Sequence, residues 1–322
     1  MVLWGAASRH FRGGAVIALT VLVFGKDGQL GQALACAAAK RSHPVNLVLL
    51  DRSDADLMTP AICADIIAKT AADVVVNAAA MTAVGLAESQ AVTAMAVNGT
   101  APGIMAAAAA KRGLPFIQIS TDYVFGGAGK HRWRPDDPTE PETVYGQSKL
   151  IGEQGVVAAF GDSDVPFVML RTSWVISAWG KTFVSAMLDA GRTREQVSVV
   201  ADQIGGPTPA DDLARAVLQI ADDLANGSAR GGIYHYSGAP DVSWADLARA
   251  VFAAARQRVL VEDITTQEFA DPVPRPLNSR LDCTTMQSVF GIARPDWAAA
   301  LPGIVVALQD RAELAKTETE TV

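Results

Sequence analysis

Two kinds of stretch alternate along the first half of the chain. Short runs of Val, Ile, Leu and Phe at residues 20–24, 45–50, 74–77, 116–120 and 167–170 predict β-strands. Alanine-rich stretches at 28–40, 60–70, 88–112 (one long helix or two) and 144–160 predict the helices between them. Strands without polar alternation are buried on both faces, so the pattern predicts a parallel sheet between two helix layers, a doubly wound α/β fold of Rossmann type. Ligands of such folds gather beyond the carboxyl ends of the strands. Past Arg171 the rhythm loosens. Helices are predicted at 181–191, 209–225 and 244–256 and a strand at 232–236. Residues 259–280, rich in proline and acids, predict loops with short elements, and the polar 312–322 a frayed end. The expected organisation is a Rossmann domain over 20–175, with 208–236 returning to it, and a smaller mixed α/β C-terminal domain over 176–322.

Composition narrows the function. Of 322 residues 50% are hydrophobic, which excludes disorder for most of the length. Lys and Arg number 27 against 34 Asp and Glu, a net charge of −7, the wrong sign for a nucleic-acid partner. Cys36, Cys63 and Cys283 are odd in number and form no C-x-x-C pair, so disulfide scaffolds and zinc fingers drop out and reduced thiols in a cytoplasm fit. No apolar run reaches the roughly 18 to 20 residues that cross a membrane. Arg9 and Arg12 ahead of the apolar 15–24 imitate a signal peptide, but Gly25-Lys26-Asp27-Gly28 follows with no cleavage pattern, and a buried strand explains the run better. Residues 1–19 are expected to be a leader without structural role.

The first predicted strand runs into Gly25-Lys26-Asp27-Gly28-Gln29-Leu30-Gly31, spaced G-x-x-G-x-x-G, and a helix opens there. Glycines permit a tight turn and close approach of a pyrophosphate, which the helix N-terminus attracts; glycine-rich turns also serve packing. The second strand ends at Asp51, twenty residues past Gly31, where a carboxylate can accept from adenosine ribose hydroxyls. Arg52 beside it can instead face a 2′-phosphate, which leaves NADH and NADPH both open.

Tyr145 and Lys149 stand four apart on a predicted helix, hence on one face. A phenol titrates near 10, and an ammonium beside it lowers that value toward useful acid–base chemistry; an exposed helical pair is the plainer alternative. Context favours chemistry. Thr121 and Asp122 end the fourth strand, at the edge where a ligand sits, with Thr121 placed to donate to a carbonyl oxygen. The stretch between Phe125 and Val144, with three glycines and three prolines, predicts a lid. Arg275 and Arg280 are candidates for a diphosphate, or a basic surface turn. His235 reads as structural, and Trp133 and Trp179 as lid or core.

Together the segments FGKDGQLG, DVVVNAAAMTAV with AES, ISTDYVF, VYGQSK, LRTSWV, DQIGGPT and RPLNSRLD resemble the extended short-chain dehydrogenase/reductases, and within them the dTDP-4-dehydrorhamnose reductase family, over about residues 22–308. The resemblance implies hydride transfer from NADPH or NADH to the C4 ketone of dTDP-4-dehydro-6-deoxy-L-mannose, a sugar nucleotide, giving dTDP-L-rhamnose. It implies Tyr145 as proton donor, Lys149 on the nicotinamide ribose and Thr121 on the ketone. Gly25, Gly28, Gln29, Leu30 and Gly31 would line the pyrophosphate, Asp51 and Arg52 the ribose, and Asp56 and Leu57 the adenine. Ala79, Ala80 and Thr82 would flank the cofactor. Thr121, Asp122, Tyr145 and Trp174, with Arg275 and Arg280 from the C-terminal domain, would meet the substrate. Met81 and Gly85-Leu86 depart from the family, which commonly has an aromatic or His at the first and an Asp-Lys pair at the second. Some members hold Mg²⁺ between subunits through carboxylates; here Ala33 and Gln309 lack one and only Asp211 has it, so Mg²⁺ is doubtful. A homodimer is a further implication. Two alternatives share the scaffold. One is an epimerase or dehydratase, although Thr121-Asp122-Tyr123 lacks the usual dehydratase Asp-Glu pair. The other is a non-catalytic NADP-binding subunit like that of methionine adenosyltransferase.

Overall fold

The computed structural model describes residues 18–161 and 163–320. The 1–19 leader expectation falls outside these except at its end, where Leu19 already belongs to the first strand.

In chain order the first half runs β1 (Leu19–Phe24), α1 (Gln29–Ala39), β2 (Val45–Leu50), α2 (Pro60–Lys69), β3 (Val74–Asn77), α3 (Val84–Ser89), α4 (Ala91–Ala94), α5 (Ala101–Lys111), β4 (Phe116–Thr121), α6 (Val144–Phe160) and β5 (Phe167–Thr172). The second half holds β6 (Val175–Ile176), α7 (Phe183–Ala190), β7 (Gln196–Val200), β8 (Ile204–Gly205), β9 (Thr208–Pro209), α8 (Ala210–Ala225), β10 (Gly232–His235), β11 (Val242–Ser243), α9 (Trp244–Ala254), β12 (Leu260–Ile264), α10 (Thr266–Phe269), β13 (Asn278–Ser279), α11 (Thr284–Phe290) and α12 (Trp297–Glu320).

Six strands form one sheet in the order β10-β5-β4-β3-β1-β2, every pair parallel. The four inner strands are buried on both faces and read as mainly apolar runs, while the edge strand β2 is only half-buried. One layer packs α1, α8 and α11 over β1, β3 and β5 through Val21, Val23, Leu34, Val217 and Met286. The other packs α2, α5 and α6 through Leu22, Ile67, Met105, Val156 and Phe160. Strand order reverses between β1 and β3, so a crevice opens past Phe24 and Asn77. Two further apolar clusters, around Leu247, Val251 and Leu301 and around Val197, Phe252 and Val261, lie in the second half.

The predicted 88–112 helix is interrupted: α4 passes through a π-helical stretch, Met95–Thr100, into α5. The wide turn aims Asn98 inward. The polar end predicted to fray is helical in α12 as far as Glu320.

The predicted lid is tied down. Trp133 donates its N–H to Arg280 O at 2.9 Å, and its own carbonyl accepts from Asp282 N at 2.8 Å. Its indole donates to Asn278 O, and the Asn278 amide donates to His131 O at 2.8 Å. Arg132 pairs with Asp241, and Arg171 reaches Pro135 O. The Trp133 ring stacks on Phe125, 4.8 Å between centroids, over buried Leu281 and Cys283. Residues 126–143 therefore form a strap fastened to the C-terminal half.

Candidate active site

Gly25 has φ +100, and a Cβ there would lie 2.7 Å from Ala79 N. At Gly31 a Cβ would meet Gly25 O at 2.2 Å. Both glycines serve packing of the turn against the end of β3 and against itself. At Gly28 a Cβ would meet only Gly25 O, at 3.3 Å. Gly28 caps α1 without a side-chain hydrogen bond, so the first-turn N–H groups of an 11-residue helix face the crevice. An open cradle of donors at the strand-order reversal fits a dinucleotide pyrophosphate. Gln29 is held from across the crevice, its Oε1 accepting from Ser177 Oγ at 2.8 Å, which leaves its amide N–H groups free to donate.

Asp51 is engaged in its own turn. Its Oδ1 accepts from the Ser53 N–H and hydroxyl at 2.8 and 2.6 Å, and these bonds hold the carboxyl down at about 2. Lys26 approaches the other oxygen at 3.4 Å. Arg52 is exposed and pairs with Asp56 at 3.3 Å. Leu57 is buried in the core with Leu22 and Phe24. Past β3, Asn77 Oδ1 accepts from Ala79 N, and Asn98 clamps Met81 at both its N–H and its carbonyl, 2.8 and 2.9 Å. These bonds shape the loop carrying Ala79, Ala80 and Thr82. Asn98 also donates to Ser148 Oγ, which joins that loop to α6.

Thr143 caps α6 by accepting from Gly146 N at 3.0 Å. A Cβ at Gly146 would lie 2.2 Å from Tyr123 O, and one at Gly152 2.1 Å from Asn98 O. These glycines let the helix sit close enough to bury Tyr145 and Lys149 at the sheet edge. Tyr145 packs edge-on against Tyr123, 5.4 Å between centroids. Burial pushes its phenol above the usual value; the Thr121 hydroxyl pulls it back, and the Asp122 carboxylate pushes it further up. The expected lowering by Lys149 is not what the site displays. Lys149 Nζ donates to Ile119 O at 2.7 Å, and burial brings its ammonium down to about 8 against a counter-pull from Glu153. Tyr145 is thus a phenol kept protonated, in the form a proton donor needs.

Thr121 donates to Asp122 Oδ1 at 3.1 Å and accepts from Tyr123 N. Asp122 Oδ2 is buried without a hydrogen-bond partner, and burial lifts this carboxyl to about 6 against weaker pulls from Ser279 and Thr121. Thr172, beside Thr121 in register, also has an unpartnered buried hydroxyl. Sequence reasoning passed over Thr172, Asn98, Ser148 and Ser177, since single hydroxyls and amides carry no spacing signal.

The outer candidates divide. Arg275 donates to Asp271 at 2.9 Å and acts on the Tyr123 phenol, which brings it to the site's rim. Arg280 folds back onto Asn278 Oδ1 at 3.0 Å. Trp174, at φ 48, stacks on Trp244 with 3.7 Å between centroids. A Cβ at Gly205 would come 2.8 Å from its ring, so much of the indole is already covered by protein. Trp179 lies under the Arg311 guanidinium at 3.4 Å. His235, buried, donates from Nδ1 to Trp133 O and is held down at about 3 by burial and then by Arg171, a neutral structural histidine. Among the described residues no His, Cys, Asp and Glu cluster suits a metal ion.

A six-stranded parallel sheet, a glycine turn at its order reversal and a buried Tyr–Lys pair on the helix after the fourth strand define a short-chain dehydrogenase/reductase. More narrowly, the chain belongs to the family of the RmlD substrate binding domain, whose model matches residues 19–309. A dTDP-4-dehydrorhamnose reductase of Sinorhizobium fredii is 40% identical over 296 residues, 90% of this chain and 98% of that one. The crystal structure of a dTDP-4-dehydrorhamnose reductase from Clostridium acetobutylicum superposes with a TM-score of 0.83 at 32% identity, over 90% of this chain and all of that one. The Bacillus anthracis reductase, solved in complex with NADP, gives 0.81 at 28% identity over 90% and 99% of the two chains.

Proposed function

We propose that the chain reduces the C4 ketone of dTDP-4-dehydro-6-deoxy-L-mannose to dTDP-L-rhamnose with NADPH or NADH. The observation that carries this reading is the buried Tyr145 phenol beside Thr121, with Lys149 one turn along the same helix face, at the edge where the glycine turn opens. The α1 N-terminus and Gln29 bind the pyrophosphate, and Lys149 holds the nicotinamide ribose. Bound there, the cofactor supplies hydride to C4. Thr121 turns its hydroxyl from Asp122 to the ketone oxygen, and Tyr145 gives its proton to that oxygen as the alkoxide forms. A developing oxyanion beside an aligned donor and a protonated phenol lowers the barrier through preorganised charge. Asp122 Oδ2, lacking a partner, accepts a sugar hydroxyl. The second half, with Arg275 at the rim, serves as the substrate domain, and a cytoplasmic homodimer completes the reading.

The test is oxidation of NADPH and of NADH against a panel of keto-sugar nucleotides. Consumption of reduced cofactor only with the 4-keto-6-deoxy sugar nucleotide is expected. Turnover without added reduced cofactor would replace the reading with an epimerase, and tight binding without turnover with a regulatory subunit.

A further inference from the structure

The helix face that carries Tyr145 and Lys149 continues one more turn to Glu153, buried at 3% exposure. Its carboxylate takes a Ser120 hydroxyl at 2.5 Å and Arg171 through Nε at 3.0 Å and Nη2 at 2.7 Å. Ser120 precedes Thr121 on β4, and Arg171 is its register partner on β5. The guanidinium is held further: Nη1 donates to Pro135 O at 3.1 Å, and its carbon lies 5.0 Å from the Phe125 ring centroid. A buried ion pair is seldom the most stable filling for such a volume, since well-packed apolar side chains often do as well or better. Packing alone therefore gives no reason for a carboxylate here, whereas its position does: it is the acidic group next to a desolvated ammonium.

We propose that Glu153 is a positioning residue of the reaction, a carboxylate fixed by Ser120 and Arg171 that keeps the Lys149 ammonium charged and aimed at the sheet edge. The proposal rests on the reading of Tyr145 and Lys149 as the reacting pair. The titratable and charged groups around it are Tyr145 and Lys149 on α6 itself, Asp122 and Tyr123 past β4, Arg171 on β5 and His235 on β10. Of these, Glu153 is the one whose charge raises Lys149 against the effect of burial. Ser120 and Arg171 occupy both carboxylate oxygens, and burial, then Arg171, keeps His235 neutral, so His235 does not compete for it.

The experiment compares wild type with Glu153→Gln/Arg171→Met, which removes both charges, because Glu153→Gln alone strands a guanidinium in the interior. Lys149 is followed by NMR of ¹³C-lysine in cofactor-free protein, its signal identified by loss in Lys149→Arg. The wild-type midpoint is expected near the value of about 8 set by burial and Glu153. The double variant is expected lower by up to about one pH unit, since Glu153 acts on Lys149 and the loss of the Arg171 charge offsets part of its removal. The alkaline limb of kcat for ketone reduction moves down with it, while KM for the sugar nucleotide changes little. A folded double variant with an unmoved midpoint overturns the proposal, as does a wild-type midpoint below about 7, which decides the matter even if neither variant folds. Absence of ketone reduction in wild type would instead defeat the functional reading and leave the titration to judge Glu153.

Discussion

The turn at 25–31 and the strap at 126–143 both carry the chain from the sheet toward a helix through glycines, yet they are held in opposite ways. The turn is shaped from within: Gly25 and Gly31 have backbone where a side chain would stand, and Gly28 N–H donates back to Gly25 O. Within itself the strap closes only the turn between Arg134 and Asp137, with His131 near the Asp137 carboxylate. It is fixed by Asn278, Arg280, Asp282, Asp241 and Arg171, more than 30 residues and up to about 150 away along the chain. Irregular chain can thus be ordered as firmly as a tight turn, and the glycine and proline content that marks both does not say which is mobile.

Substitutions sharpen that contrast, beginning with the largest effect. Gly31→Ala drives a methyl into two backbone carbonyls of the turn, and a loss of about 4 kcal/mol is expected in chemical denaturation. Next is Asp122, where the strap leaves β4. Its carboxyl is raised from 3.8 to about 6 in the fold, so the native state binds the extra proton. Its stabilising share is complete below about 4 and is lost as pH rises through 6. Asp122→Asn removes that dependence. Its stability relative to wild type should therefore rise by about 3 kcal/mol between pH 4 and pH 8, read from melts at both. Equal melting differences at the two pH values would contradict the buried, unpartnered carboxylate.

Asn278→Ala cuts the strap's bonds at Ala128 and His131, together with the bond from Arg280, and should cost about 2 kcal/mol. It should also raise KM for the sugar nucleotide while leaving NADPH affinity alone, and unchanged proteolysis at 126–143 would break the strap account. Smallest is Gly28→Ala, about 1 kcal/mol in stability from a poorer helix cap, with weakened dinucleotide binding as the larger readout.

The sheet was legible because its inner strands are buried on both faces and so are rich in Val, Ile, Leu and Phe. The reacting pair was legible because helix geometry alone puts Tyr145 and Lys149 on one face. What sequence reading missed is tertiary. The sign of the effect on Tyr145 depends on burial and on Asp122, neither of which spacing reports. The strap's partners at 278–282 are remote in sequence, so its fastening leaves no local signal. The stacking of Trp174 on Trp244, which begins a helix 70 residues on, carries no sequence signal either. Strand β7 and helices α11 and α12 went unmarked, being short, mixed in polarity or, in α12, interrupted by Pro302.

The central claim is that the buried Tyr145 phenol gives the proton that completes ketone reduction. Tyr145→Phe removes one oxygen and leaves the ring's contact with Tyr123. The direct measurement is single-turnover NADPH oxidation with the 4-keto-6-deoxy sugar nucleotide in this variant, alongside NADPH affinity by fluorescence. The account predicts unchanged affinity and a rate at least about a hundredfold lower, the scale of a general acid; a rate within about threefold of wild type would contradict it.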